Sequence, residues 1–280
     1  MTTPIELAGM LAAGRLVPYL GPALLELCPD SQVPPNPMAL AASLAAQVSL
    51  PHKIRQRLTQ AAQFIENFKH RKTLVNLMNQ AYATVPTPSA LHLALAASGT
   101  PLLVDSWYDG TLAAALGQAR PQGDWGQVQG LSQSEHFGTW TATYAADGGA
   151  VGPDAAVPEW TTLLYRPIGG RWPAANYLVS DTDYVEVLTE IDIQTPIPRA
   201  VQAIRSGRGF LFIGCRFDDQ LSRAFARQIM KRSGAHHWAV IEGEPTRMEQ
   251  RFLAEQNIAR IDMPLARFAT ELVDALAVAA

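Results

Sequence analysis

Residues 209–214 read GFLFIG, a continuous apolar run that ends in a glycine and leads into CRFDD and a helical pattern through about Lys231. The run predicts a buried strand, and Asp218 or Asp219 is placed to cap the helix that follows it. The alternation continues toward the end of the chain, with the apolar runs HWAVI and IARI, a helical stretch between them and a last helix after Pro264. Strands that alternate with helices of this length predict a parallel sheet covered on both faces.

Two earlier segments extend the same pattern toward the N-terminus. Residues 3–6 read TPIE, a capping box with proline at the first helical position, and Gly14 suits the left-handed exit of the helix that they open. RLVPYL at 15–20 predicts the first strand, although Pro18 removes a ladder hydrogen bond. PLLV at 101–104 predicts a further buried strand.

These elements predict an α/β protein with a doubly wound, Rossmann-like parallel sheet, and we expect residues 1–280 to form a single domain. Residues 37–85 predict a helical insertion, because apolar side chains recur there at spacings of three and four. Residues 117–175 are rich in Gly, Gln, Trp and Pro and predict a loop- and β-rich insertion. Its aromatic residues favour an ordered segment over a disordered one.

Composition and charge exclude several classes of protein. A formal net charge of −3 gives no bulk attraction to nucleic acid. No apolar stretch reaches the roughly 18 residues of a membrane span, and the N-terminus lacks a signal-peptide pattern, so we expect a cytoplasmic protein. The scarcity of lysine beside abundant arginine and alanine suggests a bacterial source. Cys28 and Cys215 form no CxxC pair, so neither a disulfide framework nor a metal site is expected, and their role stays open.

Five segments follow one another in an order that is familiar from one superfamily. They are Leu16–Ala23, a strand with its glycine turn; Leu103–Asp109, a strand leading into Ser-Trp-Tyr-Asp; Leu164–Gly170, a strand ending in Ile-Gly-Gly; Tyr177–Leu188, a capped helix; and Phe210–Leu221, a late strand with its Gly and Asp. Together they resemble the sirtuin-like NAD-binding superfamily, particularly its stand-alone bacterial branch associated with NAD hydrolysis in antiviral defence. The resemblance implies a sirtuin-type sheet and NAD or ADP-ribose as the cofactor.

The first site that the resemblance implies is the turn after the first strand, where family members use small residues so that N–H groups can approach a pyrophosphate. Gly21 keeps that feature. Pro22 removes a donor, Ala23 adds a methyl group, and Leu25 stands where a serine is usual. The resemblance therefore implies a weakened phosphate site at Gly21 and Pro22, and the alternative is a plain strand-ending turn.

The second site is the motif in which family members carry an asparagine that positions the nicotinamide ribose and a water. Trp107 occupies that position, and an indole can neither replace a carboxamide nor leave room for a ribose. Asp109 matches the family aspartate, so a ribose or backbone contact is implied there. The alternative is that Asp109 merely caps the helix that begins at Thr111.

The third site is the general base, which is a histidine in the family because its pKa lies near neutrality. Ile168 stands at that position and accepts no proton. A base would then have to come from another residue, for instance Asp105 or Tyr165.

Three more candidates for cofactor binding follow the late strand, at the sheet edge where doubly wound folds bind ligands. Gly214 and Cys215 end that strand, and an inert thiol is the alternative for Cys215. Arg216 has a planar guanidinium group that can bind a phosphate; the alternative is an ion pair with Asp218 or Asp219.

Because Leu25, Trp107 and Ile168 stand at the three chemical positions, we predict a catalytically impaired sirtuin-like protein. It would bind NAD or ADP-ribose weakly and act through protein–protein contacts. One alternative is an active NAD hydrolase with rearranged catalytic residues, and another is an interaction or assembly protein that binds no nucleotide. Deacetylation is disfavoured, because the paired zinc cysteines of deacetylase members are missing.

The expected partner is another protein or a second copy of the chain, and neither a membrane nor nucleic acid is expected. Tryptophan is favoured at protein interfaces, so residues 117–175 are the candidate contact surface. A local aromatic core is the alternative interpretation. The tryptophans in question are Trp125, Trp140, Trp160 and Trp172.

Overall fold

The computed structural model describes residues 2–152, 160–193 and 197–279. The helices are α1 (Pro4–Ala12), α2 (Pro37–Gln47), α3 (Leu58–Lys69), α4 (Arg71–Ala81), α5 (Ala90–Ala97), α6 (Thr111–Ala119), α7 (Asp181–Ile193), α8 (Arg199–Arg205), α9 (Gln220–Met230), α10 (Arg247–Glu255) and α11 (Leu265–Ala279). The strands are β1 (Leu16–Leu20), β2 (Leu102–Asp105), β3 (Trp125–Gly130), β4 (Thr141–Ala145), β5 (Ala150–Val151), β6 (Thr162–Arg166), β7 (Gly169–Gly170), β8 (Asn176–Tyr177), β9 (Gly209–Ile213), β10 (His237–Val240) and β11 (Ile258–Ile261).

Nine of these strands form one sheet in the order β11-β10-β9-β1-β2-β6-β3-β4-β5. The strands from β11 to β3 are all parallel, whereas β4 and β5 pair antiparallel at one end. Strand β1 lies inside the sheet between β2 and β9. The chain first builds outward on the β2 side and later returns to build outward from β9. This change of direction confirms the predicted doubly wound α/β class, and it places the topological switch point between β1 and β9.

Two hydrophobic cores lie on opposite faces of the sheet. Along β1, Val17 and Tyr19 belong to one core, whereas Leu16 and Leu20 belong to the other. The first core receives buried side chains from α2, α3, α4, α7, α9 and α10, and the second from α1, α5, α6 and α11. Buried on both faces, β1 is apolar along its whole length, as parallel sheets require.

Strand β1 accommodates Pro18 because the backbone nitrogen of this residue points toward β2, where the ladder of hydrogen bonds is shorter than the one toward β9. Gly209 N donates to Arg15 O and Gly21 N donates to Ile213 O, so the odd-numbered residues of this segment hydrogen-bond to β9. The even-numbered residues, Pro18 among them, face β2. The β1–β2 pairing includes only residues 19 and 20, so the proline lies just before that ladder begins.

The predicted helix signals are confirmed at the N-terminus. Thr3 and Glu6 form the reciprocal capping box of α1, and Gly14 has a φ of +63° just after that helix. His70 separates α3 from α4. None of the helices that the described residues form combines the length and the apolar character needed to cross a membrane.

Residues 117–175 are β-rich, as expected, and they contribute strands to the inside of the main sheet as well as to its edge. Their strands β3 and β6 lie inside the main parallel sheet, beside β2. Residues 153–159 of this segment fall outside the described residues. The segment was not recognisable as sheet core because β3 reads WGQVQG, which lacks the apolar run of a buried strand. The division into one domain with two insertions stays a prediction.

His237 joins β9 to β10 through a side chain rather than through the ladder. Its Nδ1 accepts a hydrogen bond of 3.0 Å from Phe210 N, so the ring is neutral with its proton on Nε2. Burial, assisted by the nearby His236, lowers the pKa of His237 to about 4. A proton therefore binds this ring more readily in the unfolded chain than in the folded one.

We expect the free energy of unfolding to fall by about 1 to 2 kcal/mol through this group as the pH drops from about 6.5 toward 4. His237→Gln should lack that part of the pH dependence, because glutamine does not titrate, whereas His236→Gln at the exposed neighbour should retain it. Urea unfolding at a series of pH values measures the effect. Parallel stability curves for the wild type and His237→Gln would contradict it.

Candidate functional site

The turns that follow β1 and β9 meet at the topological switch point. Gly21 follows β1 directly and Gly214 follows β9, with a φ of +69°. Gly21 N donates to Ile213 O at 2.9 Å, and Ala23 N donates to Gly214 O at 3.2 Å. The two loops that would flank a ligand crevice in a doubly wound fold are thus hydrogen-bonded to each other.

This contact is so close that only glycine fits on either side of it. A Cβ atom on Gly21 would overlap Gly214 O and would lie 2.7 Å from Cys215 Sγ. A Cβ atom on Gly214 would overlap Leu24 Cδ1 and would lie 2.9 Å from Leu24 N. The space above the two glycines is therefore filled by the side chains of Leu24 and Cys215, both of which are buried.

The N–H groups of the first turn are used within the protein. Gly21 N and Ala23 N donate to the β9 side, Leu24 N donates to Gly21 O at 3.2 Å, and Pro22 has no N–H. Leu25 is 3 % exposed and packs in the hydrophobic core, so the position that is a serine in the family carries no polar group toward the crevice. The short 3₁₀ helix Pro22–Leu27 begins at this turn.

Trp107 is built into the core. The indole is 5 % exposed, and its Nε1 donates to Pro34 O at 2.9 Å. Its ring centroid lies 4.9 Å from that of Tyr108 and 6.5 Å from that of Tyr82. The indole thus joins the loop at Pro34 to the end of β2 and packs against two aromatic rings.

Asp105 and Asp109 lie at the end of β2 and have different partners. Asp109 Oδ1 accepts from Thr111 N at 2.8 Å, at the first residue of α6, and the N-cap of that helix is Gly110. Asp105 Oδ2 lies 3.5 Å from Arg166 Nε, and Asp105 Oδ1 accepts from Trp107 N at 3.4 Å. Burial and the charge of Asp109 raise the pKa of Asp105 to about 7, although Arg166 opposes that change.

Ile168 is buried and belongs to the core, and its carbonyl accepts from Leu178 N at 2.9 Å. It connects β6 to the small hairpin of β7 and β8. Burial also raises the pKa of Tyr165 in β6, so that phenol keeps its proton and is a poor base. Of the two substitute bases named above, only Asp105 has a pKa near neutrality.

Arg216 forms an ion pair with Glu249, a residue that the sequence analysis did not consider as its partner. Its Nε and Nη2 each lie 2.8 Å from a different carboxylate oxygen of Glu249, so the pair is bidentate, and neither Asp218 nor Asp219 forms it. Glu249 also accepts from Phe217 N at 3.1 Å and completes a capping box with Thr246. Burial alone would raise the pKa of Glu249, but these donors lower it to about 2.

The two cysteines are buried, free thiols. Burial raises the pKa of Cys28 to about 11, and burial also raises the pKa of Cys215. Cys215 Sγ lies 3.6 Å from Tyr19 O and from Ile213 O, at the closed switch point. A thiol that keeps its proton is a weak nucleophile and a weak metal ligand, so both residues act here by packing.

Arg71, at the start of α4, joins three distant segments and was not singled out by its sequence context. Its guanidinium contacts Asp183 Oδ2 at 2.8 Å, Glu135 Oε2 at 3.2 Å and Glu66 Oε2 at 3.5 Å, and it donates to Tyr177 O. Asp183 has 0 % side-chain exposure and also accepts from Ser132 Oγ, Val179 N and Ser180 N. We refer to these residues as the Arg71 network.

Arg166 and Glu249 are the other two residues that sequence reasoning missed. Arg166 ends β6 and is 1 % exposed, which a sequence pattern does not predict for an arginine. Glu249 carried a usable signal, because Thr246 and Glu249 have the spacing of a capping box. Arg71 carried no comparable signal, since its partners come from three parts of the chain.

The tryptophans of residues 117–175 mostly serve packing. Trp125 is 2 % exposed, Trp140 and Trp160 pack against the core, and Trp172 is 42 % exposed. A Cβ atom on Gly126 would overlap the ring of Trp160, so glycine in β3 makes room for it. Trp125 belongs to one core of the sheet and Trp140 and Trp160 pack against the other, so the three tryptophans join the main cores of the fold, and Trp172 is partly exposed.

The comparison with known families agrees with this geometry. Residues 101–261 match the model of the SIR2-like domain, which is more than half of the chain. The chain therefore belongs to the SIR2-like family. The matched range includes Trp107, Asp109, Ile168 and Arg216, whereas the turn at Gly21 lies before it. No curated protein matches the sequence. In the described part of the chain, no group of three or more His, Cys, Asp or Glu residues is placed to hold a metal ion.

We expect Gly21→Ala to reduce the free energy of unfolding by about 2 kcal/mol or more, because the added methyl group meets backbone atoms that have nowhere to move. Gly123→Ala is the matched control, since a Cβ atom there meets no described atom within 4 Å. Thermal or urea unfolding of both variants measures the difference. Equal stability of the two variants would show that the two turns are not held as closely as described.

Proposed function

We propose that this SIR2-like protein does not hydrolyse NAD, has at most weak affinity for NAD or ADP-ribose, and acts by contacting another protein or a second copy of itself. The observation that carries the proposal is the closed switch point. Leu24 and Cys215 fill the space above Gly21 and Gly214, and the turn N–H groups donate within the protein. The residues present there do not fit a dinucleotide.

The chemical groups point in the same direction. Hydrolysis in this family relies on a carboxamide and an imidazole, whereas Trp107 and Ile168 stand at those positions and are packed in the core. Loss of a general base alone costs about 10²–10⁴ in rate. Arg216, the best candidate for a phosphate contact, already donates two hydrogen bonds to the carboxylate of Glu249. A phosphate would have to compete with that carboxylate.

Support for a role in protein contacts comes from one aromatic side chain that faces solvent on an ordered loop. Phe137 is 95 % exposed. The loop that carries it is fixed by hydrogen bonds from Leu131 N to Trp140 O at 2.9 Å and from Gly138 N to Gln133 Oε1 at 2.8 Å. An exposed aromatic ring on a rigid support is typical of an interface hot spot, because little entropy is lost on binding.

Nicotinamide release from NAD tests the catalytic part of the proposal. We expect the purified protein to release no nicotinamide above the buffer blank, because Ile168 stands at the position of the family base and the turns at Gly21 and Gly214 are in direct contact. An active SIR2-like NAD hydrolase assayed in the same buffer is the positive control. Release that rises in proportion to the concentration of this protein would contradict the proposal.

One observation favours a second candidate, the NAD hydrolase with rearranged catalytic residues. The pKa of Asp105, about 7, suits a general base at neutral pH. If nicotinamide is released, Asp105→Asn should abolish the release while leaving the fold intact, since the amide has nearly the same shape. Asp124→Asn, at an acidic residue in the 3₁₀ turn Gln122–Asp124, is the control.

A further inference from the structure

Six buried side-chain atoms without a hydrogen-bond partner among the described residues gather in one part of the fold. Buried polar groups are nearly always paired, so such a concentration calls for an occupant. The atoms are Asp105 Oδ2, Thr111 Oγ1, Trp125 Nε1, Gln127 Nε2, Gln127 Oε1 and Arg166 Nε.

The strand register explains why these atoms lie together. Leu164 pairs with Leu103 of β2 and with Gln127 of β3, and side chains two residues apart share a face. Asp105, Arg166, Gln127 and Trp125 therefore stand on the face to which Leu103 and Leu164 belong. Helix α6 covers that face and begins at Thr111. This is a different place from the switch point between β1 and β9.

A cavity of about 290 Å³ opens beside α6 at this point. Its wall includes the rings of Tyr82, Tyr108, Trp125 and Trp172, together with Arg166 and Asp109. Small-molecule sites have volumes from about 300 Å³ upward and combine apolar walls with a few polar groups. The cavity has that character, and its size suits a single-ring molecule better than a dinucleotide.

Arg166 gives the cavity a buried positive charge that is incompletely balanced. Its Nη1 donates to Trp172 O at 2.8 Å and its Nη2 to Tyr108 O at 3.3 Å, both uncharged acceptors. Asp105 lies 3.5 Å from Nε, and with a pKa of about 7 that carboxyl is only partly ionised at neutral pH. Arg171 on the rim adds a second positive charge, and Asp109 on the wall is the opposing negative one.

The unused hydrogen-bonding atoms on the cavity wall are donors. Within the described residues, Trp125 Nε1 donates to no acceptor and Arg166 Nε has only Asp105 Oδ2, at 3.5 Å; both side chains are at least nine-tenths buried. An acceptor oxygen is therefore needed, and a negatively charged one also balances the guanidinium.

We infer that this cavity binds a small carboxylate with a single aromatic ring, whose carboxylate oxygens accept from Trp125 and Arg166 while the ring packs against the surrounding aromatic side chains. The cavity shares Asp109 with the second family site but lies under α6, away from the switch point, and the inference does not depend on whether the protein hydrolyses NAD.

Calorimetric titration with three single-ring probes tests the charge preference. Benzoate should bind saturably with a Kd of about 1 mM or below, benzamide should bind more weakly, and benzylamine, which is positively charged, should not bind. Failure of benzoate to bind at about ten times that concentration would overturn the inference, and so would equal binding of all three probes.

Trp125→Phe tests the indole donor. The variant removes an N–H group that donates to no described acceptor, so the fold should persist, whereas benzoate affinity should fall about ten-fold. Trp238→Phe makes the same change at a distant indole that donates to Thr2 Oγ1, and it should leave benzoate affinity unchanged. Equal benzoate affinity in both variants would overturn the assignment.

Gly117→Leu tests the position of the cavity. Gly117 lines the cavity and is exposed, and a Cβ atom there meets no described atom within 4 Å, so leucine has room to cover the opening. Gly9→Leu in α1 is the matched control, because it is also an exposed helical glycine with the same free space. Benzoate binding should be lost in Gly117→Leu alone, and binding retained in a folded Gly117→Leu variant would overturn the proposed location.

The pH dependence of binding supplies a readout that packing alone would not move. Asp105 is faced by Arg166 and Asp109, and it competes with a bound carboxylate for the same guanidinium. Benzoate should therefore bind more tightly at pH 6 than at pH 8, on either side of the Asp105 pKa of about 7. Asp105→Asn should remove this dependence, and an unchanged pH profile in that variant would overturn the role of Arg166 as the charged anchor.

Discussion

Strands β1 and β9 join the two halves of the sheet through a parallel ladder, and the hydrogen bonds at Gly21 and Gly214 continue that contact past the strand ends. In a doubly wound sheet this is the point where neighbouring connections diverge, so a crevice normally opens there. Here the absence of two Cβ atoms lets the backbones come into direct contact, and Leu24 and Cys215 close the gap above them. The same contact that completes the sheet thus uses the donors on which a nucleotide would depend.

A buried ion pair of Asp105 and Arg166 lies away from this contact between the turns. Asp105 and Arg166 end the neighbouring strands β2 and β6, and their side chains meet beneath α6 on one face of the sheet. A buried arginine with one distant and partly neutral carboxyl partner is costly unless further groups compensate it. Gly170 contributes to this arrangement, because a Cβ atom there would lie 2.7 Å from Arg166 Cζ. The fold of the family is retained, and the site that we propose for a small ligand lies away from the switch point.

How far the sequence predicts this structure depends on how local each signal is. GFLFIG, the TPIE capping box and Gly14 act through neighbouring residues, and the structure confirms them. WGQVQG was not recognisable as a buried strand, because its glycine accommodates Trp160 and the amide of Gln129 donates to the carbonyls of Gly170 and Ala174. Both reasons involve residues more than thirty positions away.

The same distinction applies to the candidate site. The sequence predicted part of the closed turn. Proline lacks an N–H group and leucine favours burial in any protein, so Pro22 and Leu25 could be interpreted without knowledge of the fold. The partner of Arg216 could not be predicted, because Glu249 reaches it from α10, the third element after β9. A contact between residues that only the tertiary structure brings together cannot be predicted from the residue type at one position of a single sequence.

The Arg71 network has a consequence for the way the molecule opens. One guanidinium holds carboxylates from α3, from the loop after β3 and from α7, and these would repel one another without it. Separating α4 from α7 would leave Asp183, whose side chain is fully buried, without its positively charged partner, so that separation is disfavoured. The segments that Arg71 joins should behave as one cooperative unit whose amide hydrogens exchange with solvent together.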